Sequence, residues 1–253
     1  MKHYTQEEMT SIRETGSIRE WLDKLQGRKE YIHVTDHDGK LEGVQSVGTI
    51  CFANPICRER MLNGESVCHE CFAQNYGYRA SLVAHLLINF DRLTTGIIPT
   101  DQLPIIPSCL GRIESMGDVW NRYQVINYIH IVRKNPFVRF AAWTKNLRIW
   151  IDVLKEEGKP SNLSLVYSSM KLNTPEQVPE YARDYVDAVF TVYTLEHCKA
   201  HPETVINCGL ARCLQCGRCY TANARQGKEP LQIGEILKED AAAYEAWKAG
   251  RAA

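Results

Sequence analysis

Eight of the ten cysteines in this 253-residue chain fall into two groups of four, a pattern that points to metal ligation. The later group, Cys208-x4-Cys213-x2-Cys216-x2-Cys219, brings four thiols into twelve residues, with Gly209 and Gly217 in its turns. Thiolates two residues apart can grip neighbouring irons of a 4Fe-4S cubane, whereas a single zinc ion usually draws its cysteines as two separated pairs. Glycine also lets backbone N–H groups approach the sulfurs closely. The earlier group, Cys51-x5-Cys57-x10-Cys68-x2-Cys71, is looser and fits structural zinc nearly as well as a cluster, with His69 as a spare ligand. Phe52, Phe72, Tyr76 and Tyr78 lie close enough in sequence to shield a cluster from water.

Disulfides are the competing use of cysteine, and they are rare where glutathione keeps thiols reduced. The opening residues 1–8 lack the apolar core of a signal peptide, and no run approaches the roughly 18 apolar residues of a membrane span. The expectation is a cytoplasmic protein with no membrane partner. Thirty basic residues balance thirty acidic ones, which leaves no clear nucleic-acid surface. The absence of GxGxxG, P-loop and nucleophile-elbow motifs removes the usual support for nucleotide-dependent and hydrolase chemistry. Cys109 reads as a buried structural thiol. Cys198 is placed to approach the later group as a substitute ligand, and His197 and His201 read as solvated surface residues.

The elements that must position these ligands follow from periodicity. Residues 1–30 read as two short helices, because Thr5 with Glu8 and Ser17 with Glu20 have capping-box spacing and Gly27 can end the second. Strands are expected over 31–34 and 44–52, and a helix over 77–93. From 111 to 207, strand-like runs begin at Arg112, Val138, Leu163 and Ala188, 25 or 26 residues apart, with helical stretches at 119–134, 147–157 and 178–185. A further run over 204–207 leads into Cys208, and 231–253 reads as a helical tail. The whole, 1–253, reads as a single α/β domain: a partial βα barrel or open parallel sheet, with cysteine-rich loops (45–75 and 208–220) at the C-terminal strand ends.

Ligands of parallel sheets collect at those ends. The polar residues there include Glu114, Ser115, Asp118, Thr144, Lys145, Ser168 and Ser169. The expectation is that Asp118, Lys145 and Ser168 bind a small polar molecule in a cavity that both cysteine groups face. Lys145 would meet an anionic group, Asp118 an amine or hydroxyl, and Ser168 would add a hydrogen bond. Helix capping by Asp118 and solvation of Lys145 are the plain alternatives.

Several segments resemble the phage gene-eighty-eight product family. They are Cys51-Phe-Ala-Asn-Pro-Ile-Cys57 with Ser66-Val-Cys68-His-Glu-Cys71, Arg112-Ile-Glu-Ser-Met-Gly-Asp118, the stretch 135–146, and 206–220, together spanning 45–222. The resemblance implies a cysteine-rich iron–sulfur protein without a named reaction. The arrangement is also distantly similar to radical S-adenosylmethionine enzymes, with Glu114 to Asp118 where that family's early-barrel motif holds the methionine amine. Those enzymes place three cysteines as C-x3-C-x2-C and leave one iron open. Here ten residues separate Cys57 from Cys68, and a fourth ligand would leave no iron for S-adenosylmethionine. Three functions stay open: a redox or radical-type enzyme with two 4Fe-4S clusters, a two-cluster electron carrier or redox sensor with a redox partner, and a zinc-stapled binding protein.

Overall fold

A computed structural model describes residues 3–25, 31–209, 211–224 and 229–252. The strands among them are β1 (Thr35–Asp36), β2 (Gln45–Val47), β3 (Leu110–Ile113), β4 (Arg139–Thr144), β5 (Leu163–Ser168), β6 (Ala188–Tyr193) and β7 (Leu231–Ile236). They form one open sheet in sequence order, not closed into a barrel. The β1–β2 pair is antiparallel and every pairing from β2 to β7 is parallel. The helices are α1 (Gln6–Thr10), α2 (Gly16–Leu25), α3 (Pro55–Leu62), α4 (Ala80–Thr95), α5 (Arg122–Lys134), α6 (Leu147–Glu157), α7 (Leu195–Ala200), α8 (Cys213–Cys216) and α9 (Ala241–Ala252).

Helices α4, α5 and α6 pack on one face of this sheet. The main core lies there: Ile113, Phe140, Ala142, Leu163 and Leu165 from the sheet pack against Leu93, Tyr128, Ile131, Trp150 and Leu154 from α4, α5 and α6. Gly111 is needed in β3 because a Cβ would stand 2.3 Å from the Phe140 ring. Strand periodicity turns Arg112, Trp143, Val166, Ala188, Phe190 and Ile233 to the other face. The segment carrying the later cysteines covers that face through Tyr220, Ala222, Cys208 and Cys219. A second cluster, built from Met9, Ile18, Phe52, Met61, Val83 and Leu87, joins the N-terminal helices to the first cysteine loop.

Several expected elements differ. The Thr5–Glu8 capping box forms, but α2 starts at Gly16 with Thr15 accepting the first N–H groups, so Ser17 lies inside it. Gly27 lies outside the described residues. Residues 31–34 form no strand because Asn89 takes their hydrogen bonds: its Oδ1 accepts from His33 N–H at 2.8 Å and its Nδ2 donates to His33 C=O at 2.9 Å. The helix expected at 77–93 is α4, shifted to Ala80–Thr95, and the one expected from 119 begins at Arg122 behind an Asn121 cap. Residues 178–185 hold a single 3-10 turn, Glu180–Ala182. The run 204–207 is not a strand; it lies across β7, where a Cβ on Gly234 would sit 2.2 Å from the Val205 carbonyl. The expected helical tail opens instead with β7, which pairs along β6 before α9 begins.

Candidate functional site

A cavity of about 430 Å³ opens beyond the strand ends. Beyond β2, Ile50 bridges to Met116, and Cys51 follows with its N–H donating to Met116 C=O at 2.9 Å. Asn54 caps α3, which carries Cys57, and its Nδ2 donates to Asp118 C=O at 2.7 Å. Ser66 caps the 3-10 helix Val67–Glu70 that carries Cys68, and Val67 N–H donates to Met170 C=O beyond β5. The first cysteine loop is thus tied to two strand ends. Cys51, Cys57, Cys68 and Cys71 all line the cavity, as do Asp118, Lys145 and Ser168.

Asp118 is not free for a ligand. Its Oδ1 accepts from Val119 N–H at 2.8 Å and Thr144 Oγ1 at 2.6 Å, and its Oδ2 from Lys145 N–H at 2.9 Å and Arg60 Nη1 at 3.2 Å. Four donors fill a carboxylate's lone-pair sites. Nor does it cap a helix, since Asn121 does so for α5. Asp118 instead locks the first cysteine loop to the ends of β3 and β4. Lys145 is half-buried, and its ammonium has no ion-pair partner among the described residues.

Glu114, a polar strand-end residue outside the expected trio of Asp118, Lys145 and Ser168, also lines the cavity. It is buried at φ +57°, a left-handed conformation rarely adopted by side chains this large. Thr49 N–H, Thr49 Oγ1, Gln124 Nε2 and the Tyr128 hydroxyl all donate to it. Burial outweighs those donors and, with Asp118 nearby, pushes its carboxyl up to about 7. Gly117 permits this, because a Cβ there would stand 2.4 Å from Thr49 Oγ1 and 2.7 Å from Glu114 Oε2. Gly117 and the polar run at the end of β3 were visible in the sequence; the φ angle and the burial were not.

Burial pushes the Cys51 and Cys57 thiols far up, while a hydrogen bond with Cys51 holds Cys71 down to about 7. Burial raises Cys68 too, and the Lys145 ammonium opposes it.

The later cysteines do not line the cavity. They lie against the sheet face behind Trp143 and Phe190, whose side chains touch that group and also line the cavity. Lys40 reaches across this wall: its Nζ donates to Cys208 Sγ at 3.1 Å and pairs with Glu235. The Arg112 guanidinium lies 4.1 Å from the Trp143 ring centroid, and Trp143 meets Tyr220 edge-on at 6.0 Å. Arg112 Nε and the Tyr220 hydroxyl are buried without a hydrogen-bond partner among the described residues. Gly217, at φ +58°, ends α8 and turns the chain toward Cys219. Cys216 is exposed, and so is Cys109, which is therefore no core thiol. Cys198 is buried in α7 beside Asp240, and the His197 and His201 rings lie 4.6 Å apart, tilted by 32°. Among the described residues, the ligand atoms of His3, His69 and Glu70 lie within 4.8 Å of one another, and no three thiols come that close.

Fold and site together define an open-sheet α/β protein with a thiol-lined cavity at its parallel strand ends. Within it, residues 106–229 match the family model described as Gene product 88. The match agrees with the resemblance seen in the sequence, covers slightly less than half of the chain, and includes the later cysteines but not the earlier ones. No curated protein and no solved structure matches the chain. No helix among the described residues is long and apolar enough to cross a membrane.

Proposed function

We propose that this chain is an iron–sulfur enzyme. In this reading Cys51, Cys57, Cys68 and Cys71 hold one 4Fe-4S cluster in the cavity wall, and Cys208, Cys213, Cys216 and Cys219 hold a second behind Trp143. The observation that carries it is the pair of orphaned buried donors, Arg112 Nε and the Tyr220 hydroxyl, beside an all-sulfur ligand set that already accepts from Lys40. Leaving such donors unmade costs about 1–3 kcal/mol each, and sulfurs of a bound cluster would accept them. The spacing of the thiols supports iron over zinc. One zinc ion usually draws its cysteines as two separated pairs, whereas the later four fall within twelve residues.

Bound clusters would supply one-electron transfer. The chain's own residues do the rest. Lys145 and Ser168 face the cavity and orient a small polar molecule, Asp118 fixes the loop that brings the thiols to it, and Glu114 holds or yields a proton near neutral pH. A carrier has no use for the cavity that the first group lines, which favours the enzyme reading over a two-cluster carrier. Exposed Cys216 gives the second cluster an edge for a redox partner, and free thiols in such number suit a cytoplasmic setting.

Anaerobic purification with metal and sulfide analysis tests the reading. The expected result is a brown protein with about eight irons and matching acid-labile sulfide per chain. Replacing Cys213 with Ala should remove about half of the iron. Stoichiometric zinc without sulfide would overturn the proposal.

A further inference from the structure

We infer that His3, His69 and Glu70 form a divalent transition-metal site beside the cavity, distinct from both cysteine groups. It takes no part in the iron–sulfur reading and stands without it. Two imidazoles and one carboxylate suit zinc, cobalt or ferrous iron rather than magnesium or calcium, and their ligand atoms lie within 4.8 Å of one another. Residues far apart in the chain meet here, His3 from the N-terminal segment and the other two from the 3-10 helix Val67–Glu70.

The state of His69 supports ligation. Its Nδ1 lies 3.0 Å from the Met61 carbonyl. A carbonyl only accepts, so Nδ1 carries the proton and Nε2 presents its lone pair, the tautomer that metal-bound histidines adopt when a backbone acceptor orients them. Gln74 Nε2 donates to the His69 carbonyl at 2.8 Å and steadies the same turn. The Glu70 carboxylate has no hydrogen bond or ion pair among the described residues. The His3 ring stacks on His69 at 4.4 Å and is exposed, so a modest rotation turns its nitrogen toward the other two ligands. Three protein ligands leave a coordination position open, as in catalytic rather than structural zinc sites. Glu70 also lines the cavity, which puts the site beside it.

Cobalt(II) is the probe. Anaerobically purified full-length protein, with the metal it carries, is dialysed against cobalt chloride and read by metal analysis and visible absorption. The expected result is one added cobalt per chain with d–d bands and no thiolate-to-cobalt charge-transfer band. His3→Ala, a change at an exposed position, and His69→Ala should each weaken uptake by more than about tenfold. Unchanged uptake in both variants, with or without a charge-transfer band from cobalt on empty thiols, would overturn the site. Absence of iron from the purified protein would sink the cluster reading alone, because the band separates cobalt on thiols from cobalt on His3, His69 and Glu70.

Discussion

Replacing Asp118 with Asn keeps the side chain's shape and removes its charge, which tests whether this residue binds a ligand or holds the site together. The carboxylate takes four donors. An amide that keeps its oxygen on Val119 N–H and Thr144 turns its NH₂ toward Lys145 N–H and Arg60, donor against donor. The Arg60–Asp118 pair is mostly shielded, with side chains 19% and 8% exposed. Breaking such a pair costs about 3–5 kcal/mol, against about 0.5–2 kcal/mol for a lost helix cap. In a chain of this size that corresponds to a melting point lower by roughly 6–20 °C. The assay is thermal unfolding of Asp118→Asn and its parent, prepared anaerobically at equal metal content. A variant within about 1 kcal/mol of the parent would refute the positioning role and return Asp118 to the list of ligand contacts.

Glu114 gives a pH-dependent prediction. Its carboxyl keeps its proton to about 7 in the fold, whereas the unfolded chain releases it near the ordinary value. Stability is therefore fullest below about 4.5 and falls as pH rises to about 7, by on the order of 3 kcal/mol from this group. Denaturant unfolding of Glu114→Gln across that range should show the slope flattened, and an unchanged slope would rule the carboxyl out as its source. Lys40→Met removes an N–H···S bond and a positive charge beside Cys208. It should lower the midpoint potential of the proposed second cluster while the iron content holds, and equal potentials by redox titration would contradict that placement.

The strands β3 to β6 and the helices α5 and α6 were legible because strand and helix periods imprint on sequence whenever one face is buried. The runs from Leu163 and Ala188 became β5 and β6 at the expected starts. Strand β7 was missed because Gln232, Gly234 and Glu235 break its apolar pattern, and it exists because β6 offers it an edge. The failure at 31–34 has the same origin, since a distant Asn89 side chain replaced a strand as hydrogen-bond partner.

Cysteine spacing alone marked two groups of four thiols as candidate metal ligands, because thiols a few residues apart along the chain can be brought to a common centre. The parallel strand order likewise placed Asp118, Lys145 and Ser168 at one end of the sheet, since direction along a strand is local information. Whether a side chain at that end is free is not local. Asp118 was claimed by Arg60 and Thr144, Glu114 was buried at a left-handed φ beside Gly117, and the later cysteines were laid behind Trp143 rather than in the cavity. Each outcome depends on partners brought together from distant positions, and burial and hydrogen-bond saturation are decided only when those partners pack.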